Sequence, residues 1–166
     1  MTTHLTLGEQ APKFDLPVIV PSEPDSEKRI KLDDFAGQYL VLYFYPRDNT
    51  SGCTTQATGF TQHLSSFKAK NTAILGVSAD SLASHRKFMD KQDLQIPLGS
   101  DEDQVVCTAY GVWVEKKMYG RTFMGVQRSS FLISPDGKLL HVWSKVKVKE
   151  HIKDVLERLD KVQNSG

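Results

Sequence analysis

Tyr43-Phe-Tyr-Pro-Arg-Asp-Asn-Thr-Ser-Gly-Cys53 runs into Thr54-Thr-Gln-Ala-Thr-Gly-Phe60, and this stretch decides the fold. Its approach, Tyr39-Leu-Val-Leu-Tyr-Phe-Tyr45, is uncharged and built of aromatic and branched residues. That composition predicts a strand buried on both faces, as in a parallel sheet. Pro46 ends the strand, because proline cannot donate to a ladder. Residues 47–52 have the composition of a turn. Beyond it Ala57, Phe60, Leu64 and Phe67 recur at helical spacing, and one turn earlier the same stripe reaches Cys53. Cys53 is therefore expected in the first turn of a helix, toward its inward side.

A cysteine in that place has a chemical consequence. Unpaired N–H groups and the positive end of the helix dipole favour an anion there. A free thiol has a pKa of about 8.5, lowered to about 3.5–7.5 at helix N-termini and beside cations, and the thiolate is the nucleophile. Thr50 is close enough in sequence for its hydroxyl to reach the sulfur or a bound oxygen, and Pro46 is placed to cover the thiolate. The competing reading is a buried structural thiol. The polar loop and helix start favour the reactive one, since a core cysteine gains nothing from them.

The spacing Pro46-x-x-x-Thr50-x-x-Cys53 resembles the active-site signature of the peroxiredoxins. The longer string from Tyr43 to Ala57 is similar to the Q-type subfamily, also called bacterioferritin comigratory proteins. Ser51 stands where that subfamily usually has proline, a change expected to alter loop stiffness and not chemistry. The string Tyr119-Gly-Arg-Thr-Phe-Met-Gly-Val-Gln-Arg-Ser-Ser-Phe-Leu-Ile133 also resembles the Q type, and the match implies that Arg128 completes the site beside Cys53. A guanidinium stays charged and offers several donors for thiolate and peroxide oxygens. The subfamily's two resolving-cysteine positions fall here on Thr58 and Met89. Cys107, in a segment with apolar neighbours, is left either as a small buried hydrophobe or as an unconventional resolving residue.

The resemblance implies an α/β thioredoxin-like fold of the peroxiredoxin variant, with a central mixed sheet flanked by helices and an N-terminal hairpin addition. It implies a peroxidase without metal or organic cofactor, acting on hydrogen peroxide and alkyl hydroperoxides through a sulfenic acid at Cys53. With the usual resolving positions empty, an external thiol is the expected reductant: thioredoxin, with glutaredoxin or glutathione as alternatives. A monomer is expected, with a dimer left open. Two other readings use the same thiol: a disulfide oxidoreductase, disfavoured by the lack of Cys-x-x-Cys, and a redox sensor or chaperone-like binding module.

Composition sets the outer bounds. The 166 residues carry a formal net charge of +1 with 39% hydrophobic and 25% charged residues, ordinary for one soluble domain spanning 1–166. Nothing in the charge points to nucleic acid or to an anionic membrane, and no apolar run reaches membrane-spanning length. The N-terminus lacks the regions of a secretion signal, so the cytoplasm is the expected compartment. His4, His63, His85, His141 and His151 show no metal-ligand spacing, and His63 and His85 are expected to be solvated or partly buried on helices.

Along the chain, residues 21–28 are polar and proline-containing and predict an exposed hairpin loop, an insertion at about 21–29. Residues 31–37 predict a short helical turn closed by Gly37. Thr72-Ala-Ile-Leu-Gly-Val-Ser78 predicts a second buried strand, and Ser81 or its neighbours the cap of a helix to about Lys91. Ser100-Asp-Glu-Asp103 predicts a capping-box variant opening a short helix through Tyr110. Segments 127–133 and 138–143 flank Pro135-Asp-Gly137 and predict an antiparallel pair. Ile152, Val155, Leu156, Leu159 and Val162 mark one face of a final helix, with a frayed tail after it. Lys116, Lys117 and the Lys145–Lys149 run are expected on solvated faces, Arg121 in a solvated loop, and Trp113 and Tyr119 in packing or at the border of the site.

Overall fold

The structure, a computed structural model, describes residues 5–164; His4 and the last two residues of the expected frayed tail lie outside them. A seven-stranded sheet organises the chain, in the order β2-β1-β5-β4-β3-β8-β9. Inside it, β3 (Tyr39–Phe44) runs parallel to the middle strand β4 (Thr72–Ser78), and β4 runs parallel to β5 (Leu98–Ser100). On the other side β3 pairs antiparallel with β8 (Ser129–Ile133), and β8 with β9 (Leu139–Trp143). Antiparallel β1 (Asp15–Val20) and β2 (Glu23–Lys31) extend the sheet beyond β5. This is the central mixed sheet with an N-terminal hairpin that the sequence leads one to expect.

Because side chains alternate across a strand, β3 divides the interior into two layers. Leu40, Leu42 and Phe44 face one, with Phe14, Leu32, Tyr110, Val126 and Phe131. Val41, Tyr43 and Tyr45 face the other, with Phe60, Phe67, Phe88, Val155 and Leu159. The second layer is roofed by α1 (Ser51–Gln62), α2 (Leu64–Ala69), α3 (Leu82–Gln92) and α5 (His151–Asn164). Each large side chain removed from water there contributes about 1.5–3 kcal/mol. Tyr43 needs Gly76 beside it on β4, since a Cβ at that position would lie 2.8 Å from the tyrosine Cζ and hydroxyl.

Four local expectations change. Residues 23–31 are a strand and not a loop, exposed almost throughout. An edge strand pairs on one side only and needs no buried face, so its charges and Pro24 disguise it. The helix expected from Ser100 starts later: α4 spans Val105–Ala109, Ser100 closes β5, and Asp101 caps α4 by accepting from the amides of Val106 at 3.2 Å and Cys107 at 2.7 Å. Arg121 is no loop residue. It opens β7 (Arg121–Val126), which pairs with β6 (Trp113–Met118) in a separate hairpin. Tyr119 and Gly120 form its tip, with φ of 52° and 76°, the positive pair that tight hairpins require. The helical stripe from Cys53 to Phe67 is divided between α1 and α2 at His63.

Candidate active site

Cys53 is the third residue of α1, 1% exposed and reduced. Thr50 is the N-cap, in extended conformation; its hydroxyl donates to the Arg47 carbonyl at 3.1 Å and accepts no cap bond from the helix amides. With its proton so engaged, the Thr50 oxygen keeps its capacity to accept. Pro46, half-buried, follows β3 in the same loop. Parallel β3 carries this loop out of the sheet, and the neighbouring antiparallel β8 delivers Arg128 to the same end: Phe44 pairs with Ser129, the residue next to Arg128.

Arg128 reaches the sulfur. Its Nη2 donates to Cys53 Sγ at 3.3 Å and its Nη1 donates to Gln56 Oε1 at 2.8 Å. The two donors of one rigid fork thus meet two side chains one turn apart on α1. Gly52 makes room: a Cβ there would stand 3.0 Å from Nη2. Behind Arg128 the chain is fixed by the Val146 amide, which donates to its carbonyl at 2.9 Å. The structure therefore brings Cys53 and Arg128 into contact at the helix opening that Thr50 caps.

Cys107 stands apart. Its side chain belongs to the layer with Leu40, Leu42 and Phe44, while Cys53 packs with Val41, Tyr43 and Tyr45, so the central sheet lies between the two sulfurs. Burial, reinforced by the Asp101 carboxylate beside it, pushes the Cys107 thiol far up. Thr58 is half-buried on α1 with its hydroxyl on the Thr54 carbonyl at 2.8 Å, and Met89 is buried in α3.

Sequence reasoning missed several neighbours. Gln56 orients Arg128, and its signal was the three-residue step from Cys53 on a helix. Lys116 is half-buried rather than on a solvated face. Burial lowers its pKa, the Arg128 charge lowers it further, and Cys53 acts in the opposite sense. The β6–β7 hairpin therefore borders the site, whereas Tyr119 at its tip is 96% exposed. His151 is buried against Ser130 Oγ at 2.8 Å, and its pKa falls to about 4, first through burial and also through the Arg128 charge. His85 is fully buried, unlike the exposed His63, and its partners are the Asp48 carboxylate and the Gly99 carbonyl.

The chain resembles known proteins over nearly its whole length. Residues 7–142 match the AhpC/TSA family. Peroxiredoxin Bcp of Bacillus subtilis is 41% identical over 155 residues, covering 93% of this chain and 95% of that one. A structure of the Xanthomonas campestris bacterioferritin comigratory protein, described for its alkyl peroxide reduction activity, superposes with a TM-score of 0.82 at 40% identity, covering 89% of this chain and 90% of the other. A cysteine-to-serine variant of Xylella fastidiosa PrxQ gives 0.88 at 37% identity, over 97% and 99%. Family, fold and the contact of Arg128 with Cys53 converge: the chain belongs to the AhpC/TSA family and, within it, to the Q-type (Bcp) peroxiredoxins, which are thiol peroxidases.

Proposed function

We propose that the chain works as a one-cysteine peroxidase in which Cys53 is oxidised and an external thiol restores it. The observation that carries this reading is the 3.3 Å contact between Arg128 Nη2 and Cys53 Sγ at the start of α1. The Cys53 thiolate attacks one oxygen of a hydroperoxide; the S–O bond forms as the O–O bond breaks. The second oxygen leaves with the bonding pair and takes a proton, giving water or an alcohol, and Cys53 becomes a sulfenic acid. Arg128 and the helix amides face the charge that develops on the departing oxygen. The Thr50 oxygen accepts from the peroxide O–H, and Pro46 limits access of water.

A first reductant thiol then attacks the sulfenic sulfur, releasing water and leaving a mixed disulfide, and a second thiol releases Cys53. The placement of Cys107 supports an external source. Bridging requires Cα atoms about 4.4–6.8 Å apart, and the sheet separates the two layers in which these cysteines pack. The substrates are hydrogen peroxide and alkyl hydroperoxides, the second in keeping with the activity named for the Xanthomonas campestris relative. Thioredoxin is the reductant of choice, with glutaredoxin or glutathione as alternatives, and the working form is a single-domain cytoplasmic monomer. No helix among the described residues is long and apolar enough to cross a membrane.

The test is intact mass after one equivalent of hydrogen peroxide in the presence of a sulfenic-acid trap. One adduct on Cys53 with Cys107 unmodified is expected, and Cys107→Ser retains turnover with an external thiol while Cys53→Ser has none. Loss of two hydrogens with the two cysteines joined in one peptide pair sinks the one-cysteine cycle.

A further inference from the structure

Asp48 lies in the loop between β3 and α1 and is 6% exposed. Its Oδ1 accepts from the Tyr45 hydroxyl at 2.6 Å. Its Oδ2 accepts from the Ser84 hydroxyl at 2.8 Å and lies 2.7 Å from His85 Nδ1. The other ring nitrogen, Nε2, meets the Gly99 carbonyl at 2.8 Å. A carbonyl only accepts, so Nε2 carries a proton. The Asp48 amide donates to Asp80 Oδ2 at 2.8 Å, and that oxygen also accepts from the Ser78 hydroxyl at 2.7 Å. Asp48, Asp80 and His85 each offer an atom within 4.8 Å of the others, and Asp48 Oδ2, His85 Nδ1 and Asp80 Oδ2 all meet protein partners, which lets the cluster act as a fastening.

The fastening joins four elements to one loop: the end of β3 through Tyr45, the end of β4 through Ser78, α3 through Ser84 and His85, and β5 through Gly99. That loop carries Pro46 and Thr50. Arg128 holds the opening of α1 from the β8 side, and the Asp48 cluster holds the loop before it from the α3 side. We propose that Asp48 and His85 are positioning residues for the peroxide step, resting on the thiol-peroxidase reading above. They touch neither peroxide nor sulfur. They fix Thr50 and Pro46 relative to Cys53, so that the incoming peroxide finds its acceptor and its line of attack already built.

The test compares two reactions of the same thiolate. Cys53 oxidation by hydrogen peroxide needs the aligned loop; alkylation by iodoacetamide does not. Wild type, His85→Gln, Asp48→Ala and Asp48→Asn are each mixed with either reagent in a stopped-flow instrument, with circular dichroism to confirm the fold. His85→Gln and Asp48→Ala are expected to lose about 10- to 100-fold in the peroxide rate, the scale of an ångström of misplacement, while alkylation changes less than about threefold. Asp48→Asn is expected to keep most of the peroxide rate, because its amide oxygen accepts from Tyr45 and its amide N–H donates to Nδ1 of a neutral ring. Should Asp48→Ala fail to fold, His85→Gln alone decides. Wild-type peroxide rates in His85→Gln overturn the proposal, as do peroxide and alkylation rates that fall together. An Asp48→Asn variant as slow as Asp48→Ala overturns it in favour of a role for charge. Loss of the underlying reading has a different signature, namely peroxide turnover that survives Cys53→Ser.

Discussion

Replacing Arg128 by lysine keeps the charge and removes the fork. In the native site Nη2 meets Cys53 Sγ at 3.3 Å while Nη1 meets Gln56 Oε1 at 2.8 Å. A lysine ammonium is a single point on a flexible stem and cannot hold both partners in one fixed plane. A hydrogen bond involving a charged group contributes about 1.5–3 kcal/mol, and each 1.4 kcal/mol is about tenfold in rate, so full loss of the sulfur contact amounts to about 10- to 150-fold. Arg128→Lys is expected near the lower end, since a cation remains, and Arg128→Met near the upper end. The assay is single-turnover oxidation of Cys53 by hydrogen peroxide, followed by intrinsic fluorescence. Gly52→Ala is the independent control. It leaves every charge in place but sets a methyl 3.0 Å from Nη2, which must give by a few tenths of an ångström, and its rate is expected to fall in the same direction by less than that of Arg128→Met. If Arg128→Met reacts within about twofold of wild type, less than half a kilocalorie rides on the contact and the site as described is wrong. If Arg128→Lys alone is silent, charge suffices and the forked geometry is irrelevant.

Two further perturbations probe the scaffold. His151 has a folded-state pKa of about 4 against an ordinary value of 6.5, so folding favours its neutral form. Its stabilising contribution is complete above about pH 6.5 and is lost as pH falls through about 4, a difference of about 3 kcal/mol. Urea unfolding at pH 7 and pH 4 is expected to show a smaller drop for His151→Gln than for wild type, and equal drops refute the assignment. Gly76→Ala drives a methyl to 2.8 Å from the buried Tyr43 ring, and overpacking of this kind costs about 1–3 kcal/mol. Thermal melting is expected to fall by about 2–10 °C, and an unchanged midpoint shows that the tyrosine has room to yield.

What could be read in advance was whatever has a one-dimensional signature. The strand before Pro46, the loop, and the helix bearing Cys53 are contiguous, and their periods change in the string itself. Arg128 was legible only through the family string, because what makes it part of the site is the pairing of β8 with β3, a contact distant in sequence. Gln56 was within reach, since residues three apart on a helix share a face. Asp48, His85 and Lys116 were not, because nothing in the sequence shows that α3 holds the loop or that the β6–β7 hairpin comes near Arg128 and Cys53. Strand β2 was misread because an edge strand dispenses with the apolar alternation by which buried strands are recognised.

Strand β2 also bears on how the molecule survives among its own copies. A sheet that ends on an open strand offers a row of amides and carbonyls to any extended chain that drifts past. Here the last strand carries Glu23, Asp25, Glu27, Lys28, Arg29 and Lys31, with Pro24 among them, and Arg29 is paired to Asp15 at 2.8 Å. Its register with β1 also shifts between Val18 and Val20. A foreign strand would have to bury those charges, match a broken register and do without one amide. The segment that looked like a loop is therefore a terminator for the sheet, guarding the fold against fibril-like growth from its open edge.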